Sequence, residues 1–261
     1  MKRFFVLLAV FALVALMPAG RALADNGDKL AAVPFEFVGT AADCAPSPAG
    51  SRIVTSAWLG GMGLPDNGGP NATTPSDPHT GLLLSKNGPT ADCSSAGARI
   101  TGVAGMVTTA TSHLGFDYRN GSHCGAGAGR FNVTVRNGTV QTSHFVGGCS
   151  NDSTPTPAPQ DPAQWTRVRF ELSNPAEAFP PIPVGSTIVS ISILYDEGTD
   201  TVLASDPMGI GLAVIDNIDI DGKTIASGDN NQKQKKNNGD KHGNDDNGNN
   251  GNNDDQGGGD D

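Results

Sequence analysis

Aromatic residues make up only 5% of this 261-residue chain, and charged residues only 17%. Long salt-bridged helices need far more charge than that, so a helical-bundle or coiled-coil architecture is excluded. Basic residues are scarce: 17 Lys and Arg stand against 27 Asp and Glu, a formal net charge of -10. A sequence-independent nucleic-acid binder needs clustered Lys and Arg to displace counterions from phosphates, and no such surplus is present. Catalytic signatures are also missing. The chain has no G-x-S-x-G, H-E-x-x-H, phosphate-binding loop or C-x-x-C pattern. Glycine (35) and proline (18), by contrast, are plentiful. They punctuate the chain with turns and argue against long helices.

Long apolar runs are confined to one place. Phe4–Met17 is an unbroken apolar stretch of 14 residues behind Lys2 and Arg3. It is shorter than the ~20 residues that span a bilayer. Pro18 and Gly20 break it, and Ala22-Leu23-Ala24 supplies the small-x-small pattern of a cleavage site. Residues 1–24 therefore read as an export signal, leaving a secreted, extracellular chain with no membrane span. Residues 25–33 form a lead-in. At the other end, residues 227–261 are predicted to be a disordered tail. From Gly228 onward there are 10 Asn, 8 Gly and 8 Asp and not one Val, Ile, Leu, Phe, Met, Trp, Tyr or Ala. Such a segment has nothing to bury against the cost of ordering its backbone. The intervening residues 25–226 hold 10 basic and 19 acidic side chains.

Residues 34–226 carry the folding information. Apolar residues recur with period two in Phe131/Val133/Val135, Val168/Phe170/Leu172, Ile191/Ile193/Tyr195 and Ile218/Ile220. Each run puts one apolar face inward and one polar face outward. Weaker strands are predicted at Arg52–Trp58, Gly81–Leu84, Ile100–Thr109, His113–Arg119 and Thr139–Val146. Asn137-Gly138 predicts a tight hairpin between two of these runs. The pattern as a whole predicts an all-β, two-layer antiparallel sandwich of jelly-roll type with long loops at Leu59–Thr80 and Ser150–Gln164.

The four cysteines, Cys44, Cys93, Cys124 and Cys149, follow the export signal and are even in number, which reads as disulfides. Three pairings exist; nearest neighbours give Cys44–Cys93 and Cys124–Cys149, the second closing the neck of the predicted hairpin. The rival is a zinc site built from His123, Cys124, His144 and Cys149, which lacks any standard ligand spacing. Gly125-x-Gly127-x-Gly129 reads as a turn beside the bridge. Asp196, Glu197 and Asp200 form the densest carboxylate group outside the tail, but adjacent strand residues point to opposite faces.

The closing run Ala213-Val214-Ile215-Asp216-Asn217-Ile218-Asp219-Ile220-Asp221-Gly222 resembles the last strand of bacterial jelly-roll domains of the galactose-binding-like and carbohydrate-binding-module type. The segment Gly115–Cys124, with Phe145–Cys149, is also similar to a recurrent type of secreted bacterial protein that carries no known activity. The first resemblance implies neighbouring first and last strands, with Glu36 and Asp216, assisted by Asp219, holding a structural calcium. No cofactor is otherwise required. It also implies a carbohydrate ligand. Stacking platforms for sugar rings would then be Trp58, entering the long loop, and Tyr118, beside a turn. The function that follows is a secreted, non-catalytic binding module for an extracellular or cell-surface polysaccharide. The alternatives are a structural envelope or matrix protein without a small ligand, and a carbohydrate-active hydrolase on a jelly-roll scaffold.

Overall fold

The computed structural model describes residues 30–50, 53–66, 79–152 and 154–225. The export signal (1–24) and the tail (227–261) expected from sequence lie outside the described residues. Two antiparallel sheets pack face to face. The first contains β1 (Ala31–Val38), β4 (Ser94–Thr101), β11 (Thr187–Tyr195), β6 (Arg130–Asn137), β7 (Val140–Gly147) and β10 (Ala178–Phe179), in that spatial order. The second contains β2 (Val54–Leu59), β3 (Gly81–Lys86), β12 (Leu212–Ile220), β5 (His113–Arg119), β9 (Trp165–Glu171) and β8 (Thr156–Pro157), with β13 (Lys223–Ile225) also paired to β12. A single helical turn, α1 (Ala41–Cys44), is capped by Thr40 and Asp43.

The chain crosses between the sheets at most connections, and the β6–β7 hairpin stays within one. The inner strands stand in the orders β3-β12-β5-β9 and β4-β11-β6-β7, the jelly-roll arrangement. β1 and β2 extend both sheets at one side. The inward residues of the alternating runs meet in one core. Phe116 of β5 lies 5.8 Å from Phe131 of β6 and 6.1 Å from Phe170 of β9, ring centre to ring centre. Val133, Val135, Ile191, Ile193, Ile218 and Ile220 fill the space around them. Burying each such side chain contributes about 1.5–3 kcal/mol, which is what fixes the register of the strands.

Three departures from the sequence pattern have local causes. The sandwich begins at Ala31, because Ala31–Val33 pair with Thr101–Arg99. β4 starts at Ser94, well before the predicted Ile100, and ends at Thr101. Its first half, Ser94-Ser95-Ala96-Gly97-Ala98, is buried but built of small residues that show no apolar alternation. Space is the reason at Gly97, where a Cβ would lie 2.5 Å from Cζ of Phe35. Third, the polar side of β12 is not solvated. A bulge between Asp216 and Asp219 places Asn217 at φ 46°, and Asp216, Asn217 and Asp219 are all buried.

Candidate binding face

The residues expected at a ligand or metal site do not converge. β1 pairs with β4 in the first sheet, while β12 pairs with β3, β5 and β13 in the second, so the first and last strands are not neighbours. Glu36 is exposed at the rim and accepts the Ser56 backbone N–H at 3.0 Å. Asp216 accepts the Leu64 N–H at 2.7 Å and the Asn217 N–H at 2.6 Å. Asp219 faces Arg169 Nε at 3.2 Å and His113 Nε2 at 3.3 Å. Among the described residues, no group of three or more His, Cys, Asp or Glu is arranged to hold a metal ion. Trp58 and Tyr118 are half-buried against the core, and Trp58 Nε1 donates to the Ala32 carbonyl at 2.8 Å across the sandwich edge. Neither stands as an open platform.

The cysteines pair as Cys44–Cys93 and Cys124–Cys149, with Cα atoms 5.5 and 5.3 Å apart. The second bridge joins the segments entering β6 and leaving β7. That removes the zinc alternative. His144 is instead held by Thr142 Oγ1 and the Pro180 carbonyl, at 2.8 and 2.7 Å. Two disulfides belong to an oxidising compartment. Among the described residues, no helix is long and apolar enough to cross a membrane.

Two buried polar networks fasten loops to the sandwich. On the outer side of the second sheet, Asp117 takes a two-pronged bond from Arg167, at 2.8 and 3.0 Å, and a third from Asn217 at 2.9 Å. Asn217 also donates to Gln160, whose amide bonds the Pro65 carbonyl at 2.9 Å. Loop residues Leu64 and Ala158 pack there on Trp165 and Val214. Burial pushes the Asp216 carboxyl up to about 8, against the pull of its two backbone N–H donors. At one end of the sandwich, His123 is fully buried, with Asp206 at 2.9 Å from Nδ1 and Glu197 at 2.8 Å from Nε2. Burial opposes ionisation of Asp206, but N–H groups of Ile210 and Gly211 and the His123 ring outweigh it and hold the carboxyl below its usual range. The imidazole occupies the space between Glu197 and Asp206, so these carboxylates do not flank an open cleft of the kind a glycosidase requires. Asp196 and Asp200 are turned elsewhere, to Arg130 and Thr90.

The open surface is the outer side of the first sheet. Strand register aligns Val33, Arg99, Ser192, Asn132, Phe145 and Phe179 in one row across all six strands. Phe145 and Phe179 are each 42% exposed although they sit side by side on paired strands. Arg130 lies over the Phe145 ring, 5.3 Å from its centre, and is itself fixed by a two-pronged bond to Asp196, both distances 2.7 Å. Arg99 lies over Phe35 at 5.5 Å. Asn132 Oδ1, between Ser192 and Phe145, is buried and has no hydrogen-bond partner among the described residues. Sequence reasoning missed this row. Its members sit at the polar positions of the alternation, and Phe145 and Phe179 meet only through the pairing of β7 with β10, a two-residue strand. Comparison with protein-family models, with curated proteins and with solved structures finds no match.

Proposed function

We propose that this chain is an exported, non-catalytic module that binds an extracellular polysaccharide on the outer face of the first sheet. The observation that carries this reading is the Phe145–Phe179 pair, exposed and held by Arg130 in a row that also includes Ser192. A sugar ring has an apolar C–H face and a polar hydroxyl rim. The former packs on an aromatic ring, and the latter exchanges hydrogen bonds with polar side chains such as Ser192. A face built on strands of a rigid sandwich costs little ordering on binding, so modest contacts suffice. Nothing in this row uses a metal ion.

The test is electrophoresis of the full chain through gels containing cellulose derivatives, xylan, mixed-linkage glucan or polygalacturonate. At least one polymer should retard the protein, with or without chelator. Phe145→Ala/Phe179→Ala should weaken that retardation about tenfold or more. Met208→Ala, at a residue 82% exposed in the loop between β11 and β12, should leave it unchanged. Unretarded migration through every polymer would overturn the reading and favour a structural envelope or matrix role.

A further inference from the structure

The domain is acidic, yet its first sheet is not acidic on its outer side. Across β1, β4, β11, β6, β7 and β10, the outward positions carry Arg99, Arg130 and Arg136 and no Asp or Glu. Arg99 and Arg136 are exposed. Residues 25–226 hold 19 acidic and 10 basic side chains, so this absence is a segregation of charge. The net charge of the domain repels a polyanion, and the outward strand positions of this sheet oppose it with no carboxylate.

Resting on the polysaccharide reading above, we propose that the polymer is an acidic one, a polyuronate. Its carboxylates meet Arg99 and Arg136, and its ring faces pack on Phe145 and Phe179. The guanidinium fork matches a planar carboxylate with two parallel N–H···O bonds. Strand spacing sets the scale. Arg99 and Phe145 lie in one row three strands apart, about 14 Å. Arg136 stands two strands from Arg99 and four residues along β6 from that row, about 10 Å across and about 13 Å along. Contacts so distributed require a ligand several monosaccharides long with charge repeated along it. Single-stranded nucleic acid suits the face less well. It asks for a continuous basic groove, whereas the arginines here stand about 10 Å or more apart and Arg130 is paired with Asp196.

The experiment compares two forms of one backbone. The full chain is titrated calorimetrically with polygalacturonate, with its fully methyl-esterified form, with a neutral xylan and with oligothymidylate. The acid form should bind about tenfold or more tighter than the ester, and added salt should erase most of that difference. Arg99→Gln/Arg136→Gln should bring acid binding down to the level of the ester, while Arg99→Lys/Arg136→Lys retains part of it. Both pairs are exposed, and an unchanged near-ultraviolet circular dichroism spectrum verifies the fold. Equal binding of acid and ester, or a preference for xylan, overturns the acidic specificity and leaves polysaccharide binding intact. Tighter binding of oligothymidylate overturns it in favour of nucleic acid. Binding to none of the four overturns the acidic specificity, and retardation in cellulose-derivative or mixed-linkage glucan gels then decides whether polysaccharide binding itself survives.

Discussion

Lys86 offers the sharpest test of how this sandwich is held together. It ends β3, and its side chain is fully buried. Its ammonium lies 3.0 Å from an Asp92 carboxylate oxygen. It also donates to the backbone carbonyls of Thr90, Asp92 and Asp196 at 3.1, 3.0 and 2.9 Å. One cation from the second sheet thus holds the β3–β4 connection and the chain leaving β11. Lys86→Met keeps an unbranched stem of similar volume and deletes the charge. The Asp92 carboxylate then stays buried without its cation, and three carbonyls lose a donor. Removing one partner of a buried pair costs about 3–5 kcal/mol, against a total stability of about 5–15 kcal/mol for a domain. In urea, a slope of about 2–3 kcal/mol/M converts this to a midpoint lowered by about 1–2.5 M. Lys86→Met/Asp92→Asn should recover part of the loss, with a coupling of about 1 kcal/mol or more. A loss below about 1 kcal/mol for Lys86→Met, or no coupling, would refute the assignment of Lys86 as the tie between the sheets.

Two further predictions concern pH and covalent bonding. Burial raises the Asp216 carboxyl from an ordinary 3.8 to about 8, so the folded chain holds a proton that the unfolded chain releases between those values. Stability through this group is therefore full below about pH 4 and declines as pH rises toward 8, by about 1.4 kcal/mol for each unit of difference. Asp216→Asn should flatten that decline in urea titrations at several pH values, and an unaltered slope would contradict it. Cys124→Ala/Cys149→Ala opens a loop of sequence separation 25. Chain-entropy arithmetic gives a loss of about 3.5 kcal/mol, read as a lower melting temperature. An unchanged melting temperature would show that the bridge does not constrain the unfolded chain.

The alternation of Phe131–Val135, Val168–Leu172 and Ile191–Tyr195 was enough to establish the all-β sandwich, because a pleated strand can bury one face only by alternating. The nearest-neighbour cysteine pairing was legible for a related reason: Cys124 and Cys149 flank a hairpin signalled by Asn137-Gly138, and a hairpin brings its two ends together. β4 was only half visible. Small residues such as Gly97 and Ala98 are selected by the closeness of what packs on them, and that closeness has no sequence period.

The candidate site divides the same way. Composition determined the acidity of the domain, its poverty in aromatics and its lack of catalytic motifs, since these are sums over residues and need no geometry. Which polar positions stay open was decided by the tertiary structure alone. Asp117, Asp216, Asn217 and Asp219 occupy outward positions on the second sheet, yet all are buried, the first three in the network that fastens the loops and Asp219 against Arg169 and His113. Phe145, Phe179, Arg99 and Asn132 occupy equivalent positions on the first, where the rings remain in solvent. Local alternation assigns a residue to a side of its own strand. Long-range register and the path of the loops decide what lies across from it, and those depend on contacts between segments far apart in the chain.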